Sequence, residues 1–164
     1  MDMFNVAVAA LLPFLLVFGL YHLLTWFNVF RVNERVYWKR VALASAISHI
    51  LLATGFFIFS YFDYQANRSL TAVGLSYGAF LFNRTDFWRL ISVFDTLAMA
   101  CILAFFTVLD RLGVEVPAIL AIAIGIVYAV GTVQWYFVGG AVGALVERFW
   151  HGLKSGDEED EDFF

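Results

Sequence analysis

The sequence predicts an all-α integral membrane protein: a bundle of four transmembrane helices, with an interfacial amphipathic helix between the second and third. Three observations predict it. Of 164 residues, 62% are hydrophobic, well above the roughly 45–50% of a soluble domain. The apolar residues are gathered into long runs, as membrane spans require, rather than dispersed as in a buried core. Basic residues are grouped at the end of the first run, in "RVNERVYWKR", with Arg31, Arg35, Lys39 and Arg40.

The first span covers about residues 4–30. Its N-terminus, "MDMFNVAVAALLPFLLVFGLYHLL", lacks a positive leading region, and its apolar run is longer than that of a cleaved leader, so it reads as a retained span. The second covers about 41–62. The third covers about 87–109, bracketed by Arg89 and by Asp110 and Arg111. The fourth begins near 116, where Pro117 suits the first turn of a helix. Its apolar run continues to Val146, about 46 Å as a helix against about 30 Å of hydrocarbon. The span is therefore expected to end near 138 and bend at Gly139–Gly140, with Trp135 and Tyr136 as an interfacial belt and a helical extension to 153. Residues 154–164 form an acidic tail expected to be disordered, because its successive carboxylates, Asp157 to Asp162, repel any compact form.

The uncharged stretch Leu70–Phe82 gives only about 20 Å of helix, too short to cross. Leu70, Val73, Tyr77 and Phe80 recur at helical spacing, which predicts a helix lying flat on the membrane surface; a re-entrant loop is the rival. With no basic residue before the first span and four after it, the N-terminus is expected outside, and so the C-terminus too. Two short motifs bear on the same question in opposite ways. The sequons at Asn67 and Asn83 need a luminal loop, whereas "DEEDEDFF" as a sorting signal needs a cytosolic tail.

Polar groups inside spans are the functional candidates, because they are costly there. His22 lies nine residues before Arg31 and His49 nine after Arg40, so antiparallel spans place both about 13 Å from one membrane face. His49 shares a helix face with Ala42, Ser45, Ala46 and Ala53, a small-residue face suited to close packing. The pair would suit bis-histidine haem or metal ligation, proton handling, or hydrogen bonding between helices. Asp95 lies six residues past Arg89, about 240° around a helix, so Arg89 does not readily neutralise it. Desolvation favours the protonated acid, able to hydrogen-bond Gln134 on the fourth span. The pair is a candidate proton or cation site, or a polar clamp between spans. Gly139 and Gly143 have the GxxxG spacing of closely packed membrane helices, within the chain or in a dimer.

Catalytic constellations are missing. The sequence has no nucleophile elbow, phosphate-cradling glycine loop or HExxH, and its single cysteine, Cys101, excludes CxxC redox or zinc chemistry. His151 falls outside the spans. No basic stripe suggests nucleic acid. The expected protein is non-enzymatic, an accessory or assembly subunit whose partners are the bilayer and other membrane proteins or its own copies. It carries no resident cofactor, unless the histidine pair binds haem. The alternative functions are a small proton or ion transporter using Asp95 and a haem-bearing electron-transfer subunit.

Overall fold

The computed structural model describes residues 3–67, 77, 80, 81, 89, 91, 93–112 and 119–159. Among them every regular element is helical and none is a strand. Helix α1 spans Met3–Trp26 and α2 spans Tyr37–Asn67. Helix α3 spans Thr96–Arg111 and α4 Ile119–Ile126. A π-helical turn, Val127–Gly131, leads directly into α5, Thr132–Glu159. Leu70 and Val73 of the stretch 70–82, the sequon at Asn83, Pro117 and the end of the acidic tail lie outside the described residues, as does the side chain of His151.

The chain divides into two compact units, Met1–His49 with Trp135–Phe164, and Ile50–Gln134. In the first, α1 stops at Trp26, short of the apolar run's end at Phe30. The cause is a backbone reversal: Asn28, Phe30 and Arg31 have φ of 47°, 55° and 52°. Asparagine enters this left-handed region at low cost, a phenylalanine or arginine does not. The following turn, Val29–Glu34, is 3-10 helix interrupted at Phe30 and Arg31. It carries Val32 inward, where it is buried with Leu24 and Ala44. Helix α2 begins at Tyr37, before the apolar run, because Lys39 and Arg40 are good helix formers without being apolar.

Further along this unit, α5 lies on α2 at its closest through glycine. A methyl group on Gly139 would overlap the Ser45 side chain, and one on Gly143 would lie 2.8 Å from Trp38 Cα and 3.0 Å from Val41 Cβ. Gly140 faces Trp38 and Ala42 at ordinary contact distance. Here the structure corrects the expected bend at Gly139–Gly140. The helix passes through the pair without interruption, and its irregular turn lies earlier, at Val127–Gly131. These glycines are used for their smallness, not their flexibility.

The second unit is built around Leu81, Ile91, Ile102, Ala123 and Val127, with Phe56, Phe57 and Met99 packed against them. The C-terminal half of α2 supplies an aromatic wall. Tyr77 rings meet Tyr61 and Tyr64 at 5.5 and 5.6 Å, Phe80 meets Tyr64 at 5.5 Å, and the Tyr77 hydroxyl donates to the Phe57 carbonyl at 3.0 Å. Burial pushes the Tyr77 phenol above its ordinary value, which keeps that donor proton in place. Tyr77, Phe80 and Leu81 are all helical, and Tyr77 and Phe80, members of the apolar stripe read in the sequence, turn onto α2.

Two helical stretches, Tyr37–Asn67 and Leu120–Trp150, are long and apolar enough to cross a membrane. Gly143→Ala should destabilise the fold by about 1–3 kcal/mol, since the added methyl meets backbone rather than a side chain that can swing away. Gly125→Ala, with nothing within 4 Å, should be neutral or slightly stabilising. Thermal unfolding of both variants in the same detergent checks the contrast.

Candidate functional site

The chain breaks its helical path at Asp95. Arg89, Ile91, Val93 and Phe94 are helical, and the Asp95 N–H still donates to the Ile91 carbonyl at 2.8 Å. Asp95 itself then leaves the helix, at φ −125° and ψ 53°, and α3 starts at Thr96. The Asp95 carbonyl accepts the first bond of the new helix, from the Met99 N–H at 2.9 Å. A continuous span through 87–109 was the expectation. Aspartate is a weak helix former whose short side chain competes for backbone groups, so it is a natural place for the break.

A break exposes backbone groups that the helix would have paired. Gln134, just beyond the π turn, meets two of them. The Leu97 N–H donates to Gln134 Oε1 at 2.9 Å, and Gln134 Nε2 donates to the Phe94 carbonyl at 3.2 Å. The sequence reading paired Gln134 with the Asp95 carboxyl; these two bonds of its amide go instead to the backbone on either side of Asp95. The consequence for the acid is specific. An aspartate at a helix N-cap ordinarily accepts from the second or third N–H of its helix. Here the second, Leu97, is taken by Gln134, and the Asp95 carboxyl makes no cap bond to its own helix. Asp95 is 6% exposed.

The π turn supports this arrangement. π turns are rare and are found mostly as single turns at functional sites. Within it, the Tyr128 hydroxyl and Thr54 Oγ1 share a hydrogen bond of 2.8 Å, and the Tyr128 ring stacks on Phe57 at 5.9 Å. Both contacts hold the turn to α2 and so fix the helix that delivers Gln134. Neither Thr54 nor Tyr128 was singled out in the sequence, because a π turn carries no composition signal.

The histidines have different surroundings. His22 is exposed and edge-packed on Phe18 and Tyr21 of its own helix, at 4.4 and 5.4 Å. His49 is 4% exposed and stacks on Trp135 at 6.3 Å. Of the expected small face of α2, Ala42, Ser45 and Ala46 are buried with it and Ala53 is half-buried; Ser48 is buried too, and its hydroxyl has no hydrogen-bond partner among the described residues. Among the described residues no three His, Cys, Asp or Glu side chains form a group that could hold a metal ion. Cys101 is a free thiol, partly buried. The chain matches no protein-family model, no curated protein and no solved structure.

Gln134→Leu should cost about 1–3 kcal/mol by stranding the Leu97 N–H and the Phe94 carbonyl. Amide exchange should accelerate at Leu97 and stay unchanged at Met99, whose bond to the Asp95 carbonyl does not involve Gln134.

Proposed function

We propose that this chain is a polytopic membrane protein that works as a non-enzymatic subunit of a larger membrane assembly. Four crossings are the reading: α1, α2, the stretch 87–109 around the Asp95 break, and the helix through α4, the π turn and α5. The observation that carries it is where the apolar surface points. Of the most apolar windows in the two crossing-length helices, only 33% and 17% of residues are buried. The core helix of a water-soluble protein would be mostly buried. Phe59, Phe62, Phe137 and Phe149 are each about two-thirds exposed or more, while Ser45, Ser48, His49, Ser60 and Asp95 are inside. That inverted distribution suits lipid and neighbouring membrane helices as the surrounding medium. The basic turn after α1 favours an outer N-terminus and, with four crossings, an outer C-terminus.

A second reading has its own support. A broken helix at membrane depth is tolerated where it is buried in protein or lines a cavity, and in transporters such breaks form the ion sites. The carboxyl of Asp95, buried and making no cap bond to its own helix, suits a proton or cation relay, with Gln134 as the residue that bridges the break. In this reading Asp95 exchanges the ion and Gln134 positions it.

Purification from mild detergent should yield stoichiometric protein partners; a chain that stays alone and retains its cellular role when reconstituted alone overturns the subunit reading. For the second, Asp95→Asn keeps the shape and removes the titratable proton. Proton or cation flux in proteoliposomes should fall at least tenfold in that variant, and equal flux before and after the change excludes a relay at Asp95.

A further inference from the structure

The turn between α1 and α2 combines exposed aromatic rings, exposed cations and a backbone held in an unfavourable conformation. Trp26, Phe27 and Phe30 are 84%, 66% and 63% exposed, and Trp26 and Phe27 stack on each other at 5.7 Å. Arg31, Arg35 and Lys39 are also exposed, and interleave with them in sequence. An aromatic at left-handed φ is a genuine outlier, stable only where its surroundings over-determine it. Internal hydrogen bonds do so here. The Asn33 N–H donates to Asn28 Oδ1 at 3.0 Å, and Asn33 Nδ2 donates to the Thr25 carbonyl at 3.1 Å. Arg35 Nε donates to the Phe30 carbonyl at 3.3 Å. Arg40 closes the turn, donating from Nε to the Arg35 carbonyl and from a terminal nitrogen to the Asn33 carbonyl, each at 2.8 Å.

The four cations of this segment therefore divide by task. Arg40 is spent on backbone carbonyls. Arg31, Lys39 and the outer nitrogens of Arg35 enter none of these hydrogen bonds. The turn holds one acid, Glu34, against four basic residues, and no ion pair joins any of them among the described residues. Lys39 lies 5.3 Å over the Trp38 ring, which holds its stem on the helix without neutralising it.

We propose that this turn is a binding site for anionic phospholipid headgroups, in which Arg31, Arg35 and Lys39 contact the phosphate and Trp26, Phe27 and Phe30 seat in the headgroup layer. This rests on the membrane reading above. Charge complementarity selects the occupant: a row of cations at the end of a membrane-length helix faces a plane of phosphates. Aromatic rings with one apolar side are at home at the same depth. The strained backbone keeps rings and guanidinium groups on one short segment, so the ordering cost is met before lipid binds. Each cation near an anionic surface raises affinity about fivefold.

The test uses the full-length chain in vesicles of phosphatidylcholine with spin-labelled phosphatidylglycerol or spin-labelled phosphatidylcholine as reporters. The fraction of each label immobilised at the protein gives their relative association. The wild-type chain should favour the anionic lipid at least threefold, and Arg31→Gln/Arg35→Gln/Lys39→Gln should bring the ratio to about one. Arg111→Gln/Arg148→Gln, which removes two cations elsewhere, should leave the preference intact. Should the triple variant not fold, the single variant Arg31→Gln is measured, with a partial loss expected. Equal ratios in wild type and turn variants, or a preference lost in Arg111→Gln/Arg148→Gln instead, overturn the site. A wild-type chain retained through an alkaline carbonate wash but showing no lipid preference sinks this inference alone; a chain released by that wash sinks the membrane reading with it.

Discussion

Backbone polar groups removed from water must be paired, and the break at Asp95 is where this constraint bears hardest on the chain. A helix satisfies its own amides; a helix that stops and restarts does not. The Gln134 amide supplies one acceptor and one donor across the gap, to Leu97 and from it to Phe94. No shorter side chain offers both at that reach, and no apolar one offers either. The helix can therefore break at the buried Asp95 with Leu97 and Phe94 still paired, because Gln134 carries an amide to the matching height. The Tyr128–Thr54 bond then anchors the turn from which that amide projects.

Helix α2 explains how the same molecule packs by two different rules. Its first half is made of small residues, Ala42, Ala44, Ser45, Ala46 and Ser48, all buried. Small side chains let helix backbones approach, and Gly139, Gly140 and Gly143 provide the complementary surface on α5. Its second half, from Phe56 to Tyr64, is aromatic. There separation is filled rather than closed, by rings of Tyr61, Tyr64 and Tyr77 at centroid distances of 5.5 to 6.5 Å. The tyrosine hydroxyls are partnered locally: Tyr77 by the Phe57 carbonyl, Tyr128 by Thr54, Tyr61 by Gln65.

The helical class and the apolar helices were legible because hydropathy and helical length are properties of single segments. The small face carrying His49 was legible because its spacing is helical and its residues are small. Legibility ended where the meaning of a residue depends on its partner. Gly139–Gly140 has the composition of a bend and of a contact surface, and only Ser45, Val41 and Trp38 opposite decide for contact. Counting residues suggested an equal depth for His22 and His49, but it says nothing of direction around the helix: one ring is exposed beside Phe18, the other buried beside Trp135. The sequence tied Gln134 to the Asp95 carboxyl by height along the chain. That two bonds of its amide take the backbone could not be read, because a continuous helix at Asp95 would have left no backbone group to take.

The break has a thermodynamic implication. An unbroken helix with an apolar residue at position 95 would need no clasp, would bury no acid, and would keep every amide paired within itself. Against that alternative the observed arrangement gives up helical hydrogen bonds, carries a polar amide into an apolar run, and buries a carboxyl. Gln134 repairs a gap that Asp95 opens, so the cost of the break is shared between two residues. Had Asp95 capped its own helix, Leu97 would hold its carboxyl. With Leu97 assigned to Gln134, the capping acceptor comes from another helix, and the π turn one step before Gln134 sets where that amide stands.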